Sequence, residues 1–148
     1  MHAMALTQLE HYLVLTHDLA ATRRFYVEGL GFMEGFRPNL GFPGYWLYLG
    51  AVPCIHVAEW RSYTAHSQRL GLPVTVPAPG TGALDHIAFR ATDYERFTAQ
   101  LASRGITADR LDSPAAGLRQ LFLLDPNGMS KDGTVAVSGT GFSDDGKL

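Results

Sequence analysis

A chain of 148 residues, 46% hydrophobic and 18% charged, is long enough to bury a core without disulfides and too apolar to remain disordered. Its 12 basic and 14 acidic side chains leave a net charge of -2, which excludes a nucleic-acid surface built on surplus positive charge. No apolar run is long enough to cross a bilayer, so neither nucleic acid nor membrane is expected as a partner.

The single cysteine, Cys54, cannot form an internal disulfide, and a reducing cytoplasm is the expected compartment. Met1 to Met4 read as a short leader without function, and no secretory signal pattern opens the chain.

In chain order, Leu9-Glu10-His11-Tyr12-Leu13-Val14-Leu15-Thr16 reads as a strand, and Asp18 can cap the helical pattern that follows to Leu30. Leu19, Thr22, Phe25, Tyr26 and Gly29 form the stripe that this helix buries. Strands are expected over 33–37, 45–49 and 53–59, with a proline- and glycine-rich turn over 38–44. A short helix fits 60–70, while the prolines and glycines of 73–82 rule out a regular element there.

The opening pattern then returns 75 positions on, as Leu84-Asp85-His86-Ile87-Ala88-Phe89-Arg90-Ala91. Thr92 and Glu95 have the spacing of a capping box for a second helix, in which Phe97, Leu101 and Tyr94 supply the buried stripe. Strands over 106–111, 118–124 and 134–138 follow, separated by a loop over 112–117 and the turn Asp125-Pro126-Asn127-Gly128. Gly31 and Gly105 suit the chain reversals after the two helices.

An acid, a histidine and a strand recurring at one offset make this an internal repeat. The expected fold is α+β: one domain over 1–148, built of paired βαβββ modules at about 7–59 and 83–138. Their strands would form a curved, partly closed mixed sheet around a cavity, a concave site made without a second domain.

Strand alternation puts His11 on the face of Leu9, Leu13 and Leu15, and His86 on that of Leu84, Ala88 and Arg90. If the copies pack symmetrically the two imidazoles approach each other and can begin a metal site; otherwise both are histidines satisfied by neighbours. His56, on one face with Cys54 and Ala58, needs a partner in so apolar a strand, as ligand, proton shuttle, substrate contact or satisfied core residue.

Trp46 and Tyr48 alternate with Tyr45 and Leu47, so one set can line a pocket while the other packs under a helix. Arg119 is a candidate for binding an anion, against the commoner reading of a solvated arginine. His17 and His66 are expected at the surface, and Cys54 as buried filler. No phosphate loop, paired-cysteine zinc site or nucleophile elbow occurs.

Leu9-Glu10-His11, Asp18-Leu19 through Phe25-Tyr26, Leu30-Gly31-Phe32, the segment Gly82 to Phe89, and Gln120-Leu121-Phe122-Leu123 leading to Asp125-Pro126-Asn127-Gly128 together resemble the vicinal-oxygen-chelate superfamily. That superfamily contains glyoxalases, bleomycin-resistance proteins, thiol transferases and extradiol dioxygenases. The resemblance runs from about residue 7 to residue 128 and implies that His11 and His86 are metal ligands.

By the same resemblance, His56 stands where glyoxalases carry a glutamate ligand. The last ligand is usually a glutamate beyond the Asp-Pro-Asn-Gly turn, where this chain has Met129-Ser130-Lys131-Asp132. An ungapped count makes Asp132 its counterpart, in a segment that reads as turn.

Two functions follow. One is a divalent-metal-dependent enzyme of glyoxalase or dioxygenase type acting on a small substrate with vicinal oxygens. Its ion, iron, zinc, nickel or manganese, would be held by His11 and His86 with His56 or Asp132, and no catalytic base is assigned. The other is a metal-free protein of bleomycin-resistance type that sequesters an aromatic or cationic small molecule on Tyr45, Trp46 and Tyr48. Trp46, Tyr48 and Arg119 are the expected substrate contacts, and the resemblance implies a homodimer.

Overall fold

A computed structural model describes residues 6–74, 82–113, 115, 117–127 and, for the backbone alone, 134–139. The order is β1 Tyr12–Thr16, α1 Leu19–Arg23 continued by a π-helical stretch Arg24–Gly29, β2 Met33–Gly35, β3 Gly44–Leu49, β4 Val52–Glu59, α2 Trp60–Arg69, β5 His86–Arg90, α3 Tyr94–Ser103, β6 Asp109–Ser113, β7 Leu118–Leu124 and β8 Thr134–Gly139. The architecture is mixed α+β, and no helix among the described residues is long and apolar enough to cross a membrane.

Two compact units divide the chain, one carrying β1 to β4 and the other β5 to β8. Each holds one four-stranded mixed sheet, ordered β1-β4-β3-β2 and β5-β8-β7-β6. In both, the strand before the helix pairs in parallel with the last strand of its module, and the other pairings are antiparallel. The β-α-β-β-β repeat read from the sequence is therefore present twice in the topology.

In the first unit the apolar alternation decides which face is covered. Leu47 and Ile55 are opposite each other in the ladder, and with Val57 they are almost fully buried. Each such side chain taken from water contributes about 1.5–3 kcal/mol before entropy is charged. Tyr26 meets Phe25 and Phe32 edge to face, with ring centroids 5.0 and 5.7 Å away.

The end of β1 is tied to α1 by the Thr16 hydroxyl, which accepts from the Asp18 N–H and from the Thr22 hydroxyl at 2.9 Å each and donates to the Asp18 carbonyl. Asp18 caps the helix as expected, accepting from the Ala21 N–H. Gly31 reverses the chain after it at φ +88°.

In the second unit Leu121 and Leu123 of β7 are buried, as are Tyr94 and Leu101 of α3. This helix closes in a Schellman pattern, with the Ile106 N–H donating to the Leu101 carbonyl and Gly105 at φ +69°.

Some boundaries differ from expectation. α3 is capped by Asp93, one residue after Thr92; Asp93 takes φ +56° and its carboxylate accepts from the Arg96 N–H. A short carboxylate tolerates that left-handed backbone and is a stronger acceptor than a hydroxyl. β2 ends at Gly35, short of Arg37. β6 begins at Asp109 and runs through Asp112 and Ser113, which had read as loop, because Asp112 is the ladder partner of Arg119.

Candidate functional site

The candidate site begins on the face of the first sheet opposite its buried Leu47, Ile55 and Val57. Trp46 and His56 are ladder partners across β3 and β4, and Leu13 is the partner of His56 across β1 and β4. His11 precedes Leu13 by one pleat repeat and so shares its face. The register brings Trp46, His56 and His11 together, and their rings form a ladder. His56 lies 4.0 Å from Trp46 at an interplanar angle of 9°, and 3.7 Å from His11 at 12°.

The middle ring is distinctive. Its Nε2 is buried and makes no hydrogen bond. Its pKa is lowered first by desolvation and then by the neighbouring His11, while a hydrogen bond to the Pro53 backbone opposes both.

A stability slope follows from the sign of that shift. An unfolded histidine takes a proton near pH 6.5. The folded His56 resists protonation until lower pH, so between these two points the unfolded state holds more protons and stability falls as pH falls. Urea unfolding of the wild type, followed from about pH 7 to about pH 5, is expected to weaken more steeply than that of His56→Gln. Parallel slopes would show that His56 is not held neutral.

His11 and His86 occupy equivalent places in the two modules and carry equivalent partners. His11 Nδ1 lies 3.0 Å from Glu10 Oε1, and His86 Nδ1 lies 2.7 Å from Asp85 Oδ2. A carboxylate only accepts, so Nδ1 carries the proton and the neutral ring presents an unprotonated Nε2. Both side chains are a little over one third exposed, and among the described residues neither Nε2 has a hydrogen-bond partner. His86 also meets Phe122 edge to face at 5.7 Å.

An imidazole whose Nδ1–H is held by a carboxylate is the usual form of a metal-binding histidine, so the donor chemistry of His11 and His86 fits a divalent ion. His56 fits less well as a co-ligand of His11. Imidazole lone pairs lie in the ring plane, and two planes stacked 3.7 Å apart direct them side by side. Among the described residues, no three His, Cys, Asp or Glu side chains gather into a group able to hold an ion. Asp132 lies outside the described residues.

The other sequence candidates fall in different places. Tyr48 alternates with Trp46 on the ladder face; its ring covers Gly35, where an added Cβ would stand 2.6 Å away, and its hydroxyl donates to the Phe36 carbonyl at 2.6 Å. Arg119 lies on the opposite face of β7 from Phe122. Its guanidinium sits 3.6 Å over the Tyr94 ring, with carboxylate oxygens of Glu95 and Asp112 at 3.5 and 3.8 Å.

Burial raises the Cys54 pKa, which keeps the thiol protonated and fits a packing role. His66, expected at the surface, is half-buried with its ring 4.9 Å from that of Phe42.

Sequence reasoning missed Arg37. Its Nε and Nη2 are buried without a hydrogen bond, and its guanidinium lies 4.9 Å over the ring of Phe42. The available signal was strand alternation, which continues the face of Met33 and Gly35 to position 37.

Comparison with known proteins adds the family. The sequence model described as the Glyoxalase/Bleomycin resistance protein/Dioxygenase superfamily matches residues 8–130. No curated protein matches.

Among solved structures, a glyoxalase family protein from Bacillus anthracis superposes with a TM-score of 0.67 at 19% identity, covering 93% of this chain and 98% of that one. Lactoylglutathione lyase from Agrobacterium tumefaciens gives 0.67 at 15% identity, with coverages of 95% and 99%. TnmS3, an antibiotic binding protein from Streptomyces sp. CB03234, gives 0.64 at 20% identity, with coverages of 93% and 98%. At these identities the superpositions establish the fold alone.

Proposed function

This chain belongs to the Glyoxalase/Bleomycin resistance protein/Dioxygenase superfamily, and from that premise we propose that it is a divalent-metal-dependent enzyme acting on a small substrate with vicinal oxygens. The observation that carries this reading is the repeated carboxylate–histidine pair, Glu10 with His11 and Asp85 with His86, which leaves each Nε2 unprotonated. In this reading His11 and His86 are ligands and Asp132 supplies the carboxylate.

Imidazole and carboxylate donors suit iron, zinc, nickel or manganese. A bound ion would act as a Lewis acid on the substrate oxygens. Glu10 and Asp85 fix the ring tautomers. The edges of the stacked Trp46 and His56 rings flank the substrate in this reading, with Tyr48 beside them on β3. His56 acts here through packing and its free Nε2 rather than as a ligand. Arg119, beside Tyr94, Glu95 and Asp112, is also a proposed substrate contact.

A specific observation favours a second reading. Three stacked rings, Trp46, His56 and His11, form the kind of surface on which a planar molecule can be held without a metal. That is the property of a metal-free sequestering protein.

Elemental analysis of protein purified without added metal, followed by metal add-back, separates the two. The enzyme reading expects on the order of one tightly held ion per chain. Protein that contains none and takes up none leaves the binding reading. The lone Cys54 suits a cytoplasmic location, and a homodimer is proposed from the family resemblance; light scattering tests the latter.

A further inference from the structure

The Nδ1–H of His11 donates to Glu10 and that of His86 to Asp85, which holds each imidazole at one point. One point does not fix a ring. Rotation about the bond that joins an imidazole to its Cβ has broad, roughly twofold minima, and the Glu10 and Asp85 side chains are themselves 74% and 78% exposed. The plane in which each Nε2 points therefore needs a second support.

The two sheets offer that support at equivalent places. In the first unit the ladder runs Trp46, His56, Leu13 across β3, β4 and β1. In the second it runs Phe122, Ala136, Ala88 across β7, β8 and β5. Leu13 and Ala88 each stand two residues after their histidine, so Trp46 is the counterpart of Phe122, and His56 that of Ala136. Each module thus carries an aromatic residue at one position of its third strand, on the face of its histidine.

The middle position decides how the aromatic reaches that histidine. With His56 there, contact is relayed face to face, Trp46 to His56 at 4.0 Å and His56 to His11 at 3.7 Å. Alanine supplies no ring, and Phe122 meets His86 directly, edge to face at 5.7 Å. His56 is itself held by stacking on both sides and by the Pro53 backbone. Its Nε2 is buried without a hydrogen bond, which is costly, so the ring keeps this place through its neighbours.

We propose that Trp46 and Phe122 are positioning residues: Trp46 sets the plane of His11 through His56, and Phe122 sets that of His86 directly. This rests on the reading of His11 and His86 as metal ligands, and it adds to the two carboxylates a second, aromatic support for each ring.

The test loads the full-length protein with cobalt(II), reading affinity by competitive titration and ligand geometry by the visible absorption band. Trp46→Leu and Phe122→Leu keep apolar volume and remove the flat ring. Each is expected to weaken cobalt binding about tenfold and to shift the band. Trp46→Phe and Phe122→Tyr keep a ring and are expected to recover most of both. Because Trp46 works through His56, Trp46→Leu is expected to cost nothing further in a His56→Ala background. A loss of stability alone would not move the band of loaded protein. Circular dichroism shows which variants are folded; should Trp46→Leu fail to fold, the Phe122 variants carry the test.

A second readout needs no metal. NMR contacts between the ring protons of His11 and His56 are expected in wild-type protein and in Trp46→Phe, and are expected to be lost in Trp46→Leu. A folded leucine variant with wild-type affinity and band overturns the inference and leaves the metal proposal standing. Wild-type protein that takes up no cobalt ends the metal proposal instead. The NMR contacts then decide the inference, which falls if Trp46→Leu retains them.

Discussion

Gly44→Ala is expected to destabilise the fold by about 3 kcal/mol or more, the upper range for overpacking a site that cannot relax. Gly44 opens β3 opposite Ala58, and a Cβ there would lie 2.1 Å from the Val57 carbonyl oxygen. The obstacle is backbone of the neighbouring strand, fixed by the ladder on both sides of β4, so the strands must separate to admit one methyl group.

Two other glycines provide controls. At Gly35 the added Cβ meets the Tyr48 ring at 2.6 Å, a side chain that can swing aside at the cost of its bond to Phe36, about 1 kcal/mol. At Gly31 nothing lies within 4 Å and only the φ of +88° opposes alanine, again a cost of about 1 kcal/mol. Urea denaturation of the three variants should place Gly44→Ala well below the other two. A Gly44→Ala protein as stable as Gly31→Ala would mean that β3 and β4 are not packed as described.

The same contrast between local pattern and tertiary contact explains what could be read from the sequence. The repeat was legible because it is a matter of spacing: an acid and a histidine ahead of a strand and a helix, at His11 and again at His86. The common face of His11, His56 and Trp46 follows from register, and alternation had already placed His56 with Cys54 and Ala58. The stacking of the three rings was not legible, because it depends on side-chain rotation rather than on register.

Arg119 and Arg37 mark the limit more sharply. Alternation gives an arginine a face without saying whether that face is covered. Arg119 lies against Tyr94 of α3, while Arg37 ends the strand expected over 33–37, just before the turn rich in proline and glycine. Its Nε and Nη2 have no hydrogen-bond partner among the described residues, and its guanidinium lies over Phe42, properties that only three-dimensional contacts define. The Asp93 cap was missed for a smaller reason: Thr92 and Glu95 match a capping box by spacing, but an αL backbone at Asp93 moves the helix start by one residue.

His11→Ala and His86→Ala are each expected to strip the bound ion, with affinity falling by more than about a hundredfold, since loss of a supporting hydrogen bond alone typically costs 10–100-fold. Glu10→Gln and Asp85→Asn test that lesser effect. An amide presents its oxygen to Nδ1–H as a weaker acceptor, so each ring remains oriented but becomes a poorer donor, and a loss of about tenfold is expected. His56→Phe keeps a ring between Trp46 and His11 and removes both nitrogens. If His56 serves by packing, the ion stays; if it is a ligand, the ion is lost with it.

Competitive metal titration of these five variants therefore reads the whole ligand assignment. Retention of full affinity in His11→Ala and His86→Ala would remove the metal proposal. Loss in His56→Phe alongside His11→Ala would instead require the stacked pair to open so that both lone pairs reach one ion. Asp132→Asn completes the set, because three donors are needed to hold such an ion with a position left for substrate. A carboxylate that matters as much as either histidine would identify the third ligand.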